Sequence, residues 1–508
     1  MTESLTRRSA GAALWTASGA IAKIVLKLGV LGVLARLVEP REFGLVASAL
    51  IIIDFFQIFV RVGVGPVIVQ RRELTERHIR TAFWISVAFG VAFPIVTTLV
   101  APALAHGLFR SETLGRVLVW AALVLPFHSL AVVPLALLQR DLKFAAIVRL
   151  ETIAYALGFA AVSIALAVRG FGVWALVAGH LAEAVLLCLL ALSTRSFPKR
   201  PIRDLQAARE IAFFGSGFAV ARGANWLALA GDKWVVGRWL GQASLGLYKY
   251  AYELATLPGN LLGQVLDRVL FPAMARVQDD PVRLARAYRG GLALVGCAVW
   301  PASLLIVALA DELVAALLGP NWAAVADPLR ILAAAAILRS GLKLTDSLVR
   351  ATGAVYRRAW RQIGYAIAIL AGAYGGAFFG LRGAALGVVG GAVVGWGLML
   401  HLGVSLTGLR GRDSLAATFR ALPLGLIAGG LALGVRVLLA PLAWPAAVVL
   451  ASAAMVAGAG VATCALTWPR LFLGADALAV VRGTLGASPR RPRLLRRILA
   501  SPASAARA

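Results

Sequence analysis

The stretch LARLV at residues 34–38, followed by FGL at residues 43–45, has a second copy later in the chain. That copy is VGRWL at residues 236–240, followed by LGL at residues 245–247, and the offset between the copies is about 202 residues. Each copy joins two long apolar segments. The constant offset places six apolar segments in each half and predicts two parallel repeats, related by an axis along the membrane normal. Two such bundles would enclose a cleft between them.

The composition of the whole chain requires a membrane as its solvent. Of the 508 residues, 60% are hydrophobic and 15% are charged, and the mean hydropathy is +0.84. Soluble domains average about 45–50% apolar and about 25% charged residues. The apolar excess excludes an ordinary soluble enzyme, a disordered chain and a disulfide-rich secreted module. It indicates an all-α polytopic membrane protein.

Apolar segments of about 20 residues are long enough to span a bilayer, and about fourteen candidates are present. They lie near residues 11–35, 43–61, 82–106, 114–138, 146–168, 172–193, 211–231, 244–272, 289–311, 324–349, 360–380, 383–407, 419–440 and 443–467. The first is long enough to span and has no A-x-A site after it, which favours a transmembrane helix over a cleaved signal. The predicted domains are an N-lobe (1–200, spans one to six), a C-lobe (201–408, spans seven to twelve), two extra spans (409–467) and a basic tail (468–508).

Positive charge alternates between the loops. The net charge is +28, and the basic residues form short clusters between apolar segments. With the N-terminus in the cytoplasm, roughly 35 basic residues lie inside and about 9 outside, as the positive-inside rule requires. We therefore expect both termini in the cytoplasm, with the basic loops facing anionic membrane lipids. A nucleic-acid partner is not expected, because apolar spans interrupt every basic cluster.

Ionisable residues inside the spans are costly, about 2.5–3.5 kcal/mol each on insertion scales, and persist where they face water, a partner or a substrate. Here Lys and Arg outnumber Asp and Glu, and they cluster in spans one, seven, eight and ten. A spacing of four residues puts Lys23 and Lys27 on one helix face, and the same spacing relates Arg339 and Lys343. Because Lys and Arg are the usual ligands of phosphate oxygens, we expect an anionic substrate. The predicted cavity residues are Lys23, Lys27, Arg222, Asn225, Lys249, Arg339 and Lys343.

The acidic residues of the spans allow two interpretations. Lys249 with Glu253, and Lys343 with Asp346, would neutralise each other if they were intrahelical pairs. Alternatively, acidic residues couple transport to Na⁺ or H⁺ or act in gating, and the candidates for this role are Asp54, Glu183, Glu253 and Asp346. In span eight the sequence Pro258-Gly259 predicts a hinge.

Motifs for chemistry are missing from the sequence. It contains no G-x-x-x-x-G-K-[ST], no H-E-x-x-H and no G-x-S-x-G, and its five histidines are scattered. The three cysteines are far apart in sequence and predict no disulfide or metal site. We therefore expect a protein that is not an enzyme and that holds no metal or other cofactor. Glycines recur every four residues in spans eleven and twelve, which predicts close helix packing.

Seven stretches, in order along the first 350 residues, resemble the polysaccharide transporter branch (Wzx-type flippases) of the multidrug/oligosaccharidyl-lipid/polysaccharide (MOP) exporters. They are LARLVEPREFG (34–44), GVGPVIVQ (63–70), GFGVW (170–174), LGLY (245–248), RVLFP (268–272), LGPNW (318–322) and LRIL (329–332). The resemblance implies two six-helix lobes in a V shape around a cationic cavity. It also implies alternating access that carries an undecaprenyl-diphosphate-linked oligosaccharide, the repeat unit of an O-antigen, capsule or exopolysaccharide, across the bacterial inner membrane. The machinery that polymerises the polysaccharide would then be a partner.

Three other functions remain open from the sequence. A MurJ-type lipid II flippase would share the fold and carry a peptidoglycan precursor. A cation-coupled multidrug antiporter of the same superfamily would need an acidic site, for which Asp54 and Glu183 are available, but the basic excess disfavours cationic drugs. A membrane polysaccharide polymerase or ligase belongs to a different class, and the short outside loops argue against it.

Overall fold

The protein's computed structural model describes residues 22–62, 64–71, 73–201 and 204–485, and within these ranges the regular structure is entirely helical, with no strand. Fourteen long helices of this part of the chain follow the predicted spans in order. They are α1 (described over 22–37), α2 (Pro40–Val62), α3 (Glu76–Phe109), α4 (Glu112–Arg140), α5 (Phe144–Val168), α6 (Val173–Thr194), α7 (Leu205–Val235), α8 (Gly241–Ala275), α9 (Pro281–Ala308), α10 (Ala326–Thr352), α11 (Val355–Ala377), α12 (Gly380–Thr407), α13 (Leu422–Leu439) and α14 (Ala446–Thr467). The predicted start of span one, residues 11–21, lies outside the described residues.

Shorter helical elements connect or follow the long helices. Two segments have π-helical geometry, Ala154–Ala160 inside α5 and Val236–Leu240 between α7 and α8. The others are Gly65–Gln70, Ala310–Leu317, Pro320–Val325, Gly411–Phe419, Ala440–Leu442, Pro469–Phe472 and Gly474–Leu485. In α4, a break at Leu123 separates Glu112–Ala122 from Val124–Arg140.

Length and hydropathy identify the membrane-crossing helices. Among the described residues, nine helices are long and apolar enough to cross a bilayer, and a bent pair formed by Pro320–Ala334 and Ala336–Thr352 makes a tenth. The helices α7, α8 and α11 have 31, 35 and 23 residues but more polar sequences. The prediction of an all-α polytopic membrane protein is therefore confirmed.

Two spans differ in detail from their predicted form. Span ten, predicted as one segment over 324–349, is bent by 46° where Ala334 meets Ala336. No proline or glycine lies at this bend, so the sequence carried no signal for it. Helix α8, in contrast, runs without interruption through Pro258-Gly259 from Gly241 to Ala275. The hinge role of that pair stays a prediction.

Contacts divide the chain into two compact units. Unit 1 comprises the residues up to Lys249 together with Leu317–Trp322, and unit 2 comprises the remainder. Helix α8 thus contributes residues 241–249 to unit 1 and the residues from Tyr250 onward to unit 2. The lobe boundaries expected from the repeat, after residues 200 and 408, stay predictions.

Unit 1 brings together loops that the sequence assigned to the same membrane face. At one end, Arg71 binds Glu210 with its Nη1 2.7 Å from Oε2, and the Arg80 Nε donates to the Arg200 carbonyl at 2.7 Å. At the other end, the backbone N–H of Val173 donates to Glu42, and the Trp322 indole donates to the Ala35 carbonyl at 2.7 Å. Segments that the sequence assigned to the same side of the membrane therefore contact each other in this unit. Which end faces the cytoplasm stays a prediction.

Unit 2 is built around α9. Its buried Tyr288, Leu292 and Val299 pack in one apolar cluster with Ile337 and Leu348 of α10. These five side chains remove apolar surface from water or lipid and so hold α9 against α10.

The glycine spacing in α11 and α12 has the predicted effect. A methyl group added at Gly372 would lie 2.1 Å from the Gly387 carbonyl oxygen, and one added at Gly383 would lie 2.3 Å from the Gly376 carbonyl oxygen. Only glycine allows the two backbones to approach so closely.

Ion pairs hold one end of unit 2 together. Arg436 of α13 binds Asp311 and Glu312 at 3.0 and 2.7 Å, and Arg382 of α12 binds Asp327 with its Nε at 2.9 Å. These pairs attach α12 and α13 to the connection between α9 and α10.

Candidate functional site

In unit 1, the two lysines of α1 face α5. The Lys23 ammonium donates to Glu151 Oε2 at 2.7 Å, and the Lys27 Nζ lies 5.4 Å from the centre of the Tyr155 ring. Glu151 and Tyr155 are also four residues apart, so each lysine of α1 contacts one of these two residues of α5. The exposed fractions of the Lys23 and Glu151 side chains are 24% and 42%, so solvent reaches both. Lys23 and Lys27 are called the unit-1 cation pair below.

The local structure of α5 determines what lies beside this pair. Its π segment begins at Ala154, and π turns of this kind are frequent at functional sites. Within the segment, a methyl group added at Gly158 would lie 2.6 Å from the Cα of Glu183, so glycine lets α5 and α6 pack closely. Phe159 stacks on Tyr155 and contacts the His180 ring, with ring centres 5.3 and 4.6 Å apart.

This close packing gathers charged groups from four helices. Glu183 of α6 is near enough to Lys23, Lys27 and Glu151 to interact with them electrostatically. His180 interacts in the same way with Lys27 and with Lys249 of α8. Lys23 and Lys27 thus lie near two glutamates, Glu151 and Glu183, and Lys249 lies near His180.

In unit 2, two cations of α10 face α8. The Arg339 guanidinium carbon lies 4.3 Å from the centre of the Tyr252 ring, and the Lys343 ammonium donates to Asn260 Oδ1 at 2.6 Å. Asn260 is neutral, so this hydrogen bond positions the ammonium group without cancelling its charge. Arg339 and Lys343 are called the unit-2 cation pair below.

A glycine again makes this contact close. A methyl group added at Gly259 would lie 2.6 Å from the Ser340 Oγ, and the Gly259 carbonyl lies 3.3 Å from the Lys343 ammonium. Gly259 therefore has a packing role in α8, which is separate from the predicted hinge.

The remaining predicted residues occupy different surroundings. Asp346 binds Arg358 of α11 through two hydrogen bonds, of which the Nη2–Oδ2 contact is 2.9 Å. Asp54 of α2 and Glu253 of α8 are exposed. On α7, Arg222 is exposed and Asn225 is partly buried. The ion-coupling and binding roles of these residues stay predictions.

Four partners of the cations were missed by the sequence analysis: Glu151, Tyr155, Tyr252 and Asn260. A signal for two of them was available, because Glu151 and Tyr155 repeat the four-residue spacing of Lys23 and Lys27. Tyr252 and Asn260 are eight residues apart, which is about two turns of the helix. This longer spacing is harder to recognise in the sequence. Within the described ranges, no group of three or more His, Cys, Asp or Glu residues could hold a metal ion.

Comparison with known proteins shows relatives that act in polysaccharide synthesis. The profile of a family described as "Polysaccharide biosynthesis protein" matches residues 33–327. The chain is 27% identical over 355 residues to the lipopolysaccharide biosynthesis protein WzxC of Escherichia coli K12, which covers 69% of this chain and 72% of WzxC. It is 26% identical over 318 residues to the succinoglycan biosynthesis transport protein ExoT of Rhizobium meliloti, which covers 61% of this chain and 62% of ExoT.

Solved structures share the fold. The lipid II flippase MurJ in an inward closed conformation superimposes with a TM-score of 0.74 at 11% identity, covering 90% of this chain and 99% of MurJ. An inward-facing multidrug resistance transporter of the MATE family, in the MOP superfamily, gives a TM-score of 0.62 at 15% identity, covering 76% of this chain and 96% of that transporter. The chain therefore has the helical fold of these transporters.

Proposed function

Because the chain belongs to the polysaccharide biosynthesis protein family, a family of membrane transporters, we propose that it flips an undecaprenyl-diphosphate-linked oligosaccharide across the bacterial inner membrane by alternating access. The cargo would be the repeat unit of an O-antigen, capsule or exopolysaccharide. The names of WzxC and ExoT support this class of cargo, since they refer to lipopolysaccharide and succinoglycan. The fold shared with MurJ supports the transport of a lipid-linked molecule.

The observation that carries the proposal is the pair of cations on one helix face in each unit. The unit-1 pair lies on α1 and the unit-2 pair on α10, and each is held by polar or aromatic groups of a neighbouring helix. A diphosphate offers several anionic oxygens, and two cations about one helical turn apart suit a group of that size. Each pair also retains side chains that solvent reaches. The lipid tail stays in the bilayer during transport, so only the sugar and diphosphate require a polar path.

The pairs also explain why charged groups persist in membrane-spanning helices. An ammonium or guanidinium group in a span is costly unless it meets a partner or a substrate. A tyrosine face and an amide oxygen are weaker partners than a phosphate, so they hold the cations in place and still permit an anion to bind.

A specific observation favours a second candidate, a lipid II flippase. MurJ aligns along 90% of this chain, and lipid II carries the same kind of isoprenoid diphosphate, so the cation pairs do not distinguish the two cargoes. A drug antiporter of the MATE type would carry cationic compounds, which the excess of positive charge disfavours. Coupling to Na⁺ or H⁺, with Asp54, Glu183, Glu253 or Asp346 as the coupling group, and contact with a polysaccharide polymerase are further parts of the proposal.

The test is the lipid-linked sugar that accumulates when the protein is removed. In a strain without the gene, we expect repeat units of the surface polysaccharide to accumulate on undecaprenyl diphosphate while the lipid II pool stays constant. Accumulation of lipid II would favour the second candidate. If neither lipid accumulates and surface polysaccharide is normal, both proposals are wrong. Complementation with the wild-type gene is the control.

A further inference from the structure

We propose that Glu151 is an internal counter-ion that occupies Lys23 in the absence of cargo and is displaced by the phosphate of the cargo. With Glu151 bound to Lys23, the unit-1 cation pair would preferentially bind a head group that carries more negative charge than a single carboxylate. This inference rests on the proposed function, since it names the group that the cargo must displace. It assigns Glu151 a role in specificity rather than in stability.

The structure places the Glu151 carboxylate beside Lys23, where an incoming anion can replace it. Lys23 Nζ and Glu151 Oε2 are 2.7 Å apart, which is a charge-assisted hydrogen bond. The Lys23 and Glu151 side chains are 24% and 42% exposed. An ion pair that solvent reaches contributes little net free energy, because water competes for both charges. The contact therefore holds Lys23 in position without binding it strongly.

The charges around Glu151 favour exchange. Glu183 lies near enough to repel Glu151, while Lys23 attracts both carboxylates and Lys27 attracts Glu183. Among the described residues, His180 interacts electrostatically with Lys27 and Lys249 beside this region. A diphosphate brings more negative charge than one carboxylate and can contact both lysines of the unit-1 pair, so it competes effectively. When the cargo leaves, Glu151 returns to Lys23, which lowers the barrier to release.

A consequence for specificity follows. Phospholipids with a single negative charge are abundant in bacterial membranes and would compete for an unoccupied lysine. A carboxylate already bound to Lys23 matches their charge, so these lipids gain little by replacing it. A diphosphate carries more negative charge, so it gains more binding free energy by replacing Glu151. The diphosphate is also the group that distinguishes the isoprenoid carrier from these phospholipids. Glu151 is thus expected to exclude monoanionic lipids from the site.

The contrast with unit 2 supports this role. There the corresponding cation, Lys343, is held by the neutral Asn260. Lys343 thus donates to an amide where Lys23 donates to a carboxylate. At Lys23, an incoming anion must displace a charged group.

The experiment measures binding of undecaprenyl diphosphate to the purified full-length protein in nanodiscs, with phosphatidylglycerol as the monoanionic competitor. For Glu151→Gln we expect binding tighter by about twofold to tenfold, together with stronger competition by phosphatidylglycerol. In a Lys23→Ala background, Glu151→Gln should have no effect on binding, because its action requires Lys23. The matched control is Glu112→Gln, an exposed carboxylate at the start of α4, which should bind as the wild type does.

The outcomes distinguish a failure of the counter-ion role from a failure of the proposed function. If the wild-type protein binds undecaprenyl diphosphate and Glu151→Gln binds it equally or less tightly, the counter-ion role is wrong while the proposed function stands. The same conclusion follows if Glu151→Gln raises affinity equally with and without Lys23. If the wild type and every variant fail to bind the diphosphate, the proposed function is wrong and the inference falls with it. Glu151→Asp keeps the charge, so it should bind more like the wild type than Glu151→Gln does.

Discussion

The unit-1 and unit-2 cation pairs have the same spacing but unlike partners. In both, one cation lies over a tyrosine ring and the other donates to a side-chain oxygen. The oxygen belongs to a carboxylate in unit 1, Glu151, and to an amide in unit 2, Asn260. The comparison shows that a lysine one helical turn from a second cation contacts a charged oxygen in unit 1 and a neutral oxygen in unit 2. We expect the charge of that oxygen to influence how readily an external anion binds.

The largest expected effect comes from removing the pair whose oxygen partner is neutral. Arg339→Ala combined with Lys343→Ala should lower export of surface polysaccharide more than tenfold, because the phosphate loses about two charge-assisted contacts. Export in a complemented deletion strain measures it, with membrane levels of the protein checked by immunoblot. Lys23→Ala should lower export less, since Lys23 is already occupied by Glu151.

The control for this variant is Arg382→Ala, which removes an arginine of unit 2 that binds Asp327 away from the cation pair. It should export normally. Normal export by the Arg339→Ala/Lys343→Ala and Lys23→Ala variants, alone and combined, would show that the cavity assignment is wrong.

The next effect tests the comparison by making unit 2 resemble unit 1. Asn260→Asp introduces a carboxylate beside Lys343, where the amide now accepts at 2.6 Å. The affinity for undecaprenyl diphosphate should fall by about twofold to tenfold, the inverse of the change expected for Glu151→Gln. Binding to the purified protein measures the change, and Asn260→Gln is the neutral control. Unchanged affinity in Asn260→Asp would mean that the partner's charge has no influence on binding.

A smaller effect concerns the packing that holds the unit-1 cluster together. Gly158→Ala should destabilise the protein by about 1–3 kcal/mol, because the added methyl group would overlap the backbone of Glu183. This cost exceeds the gain of up to about 1 kcal/mol in helix propensity. Thermal unfolding in detergent should show a lower Tm. Gly107→Ala in α3, where nothing lies within 4 Å of the added group, should keep or raise the Tm. A raised Tm in Gly158→Ala would contradict the close packing of α5 and α6.

The smallest effect is expected at the predicted hinge. Because α8 is continuous through Pro258-Gly259, Pro258→Ala should leave the Tm unchanged or raise it slightly, and it should slow transport by about twofold if the helix bends there during the cycle. The rate of transport into vesicles measures this. Pro301→Ala in α9, a proline in a helix with no predicted hinge, serves as the control. An unchanged rate in Pro258→Ala would show that the hinge is unnecessary.

The sequence predicted the membrane class and the order of the helices, because hydropathy is a local property. The four-residue spacing also placed Lys23 with Lys27, and Arg339 with Lys343, on one helix face each, while their role in binding stays a prediction. The sequence predicted the close packing of α11 and α12 for the same reason, since glycine spacing lies within one helix. The partners Glu151 and Asn260 depend on which helices become neighbours, and that information is not local. The bend after Ala334 has no proline or glycine that would reveal it, and the single Gly158 in Ala154–Ala160 does not by itself predict π-helical geometry. The start of predicted span one, residues 11–21, lies outside the described residues and stays a prediction from hydropathy.

Flipping of the cargo by the purified protein tests the central claim most directly. Proteoliposomes are loaded with a fluorescent undecaprenyl-diphosphate-linked oligosaccharide, and the fraction that an added membrane-impermeant quencher reaches is followed with time. The wild type should expose inner-leaflet cargo faster than liposomes without protein, and the Arg339→Ala/Lys343→Ala variant should not. Equal rates for wild type, variant and empty liposomes would contradict the account.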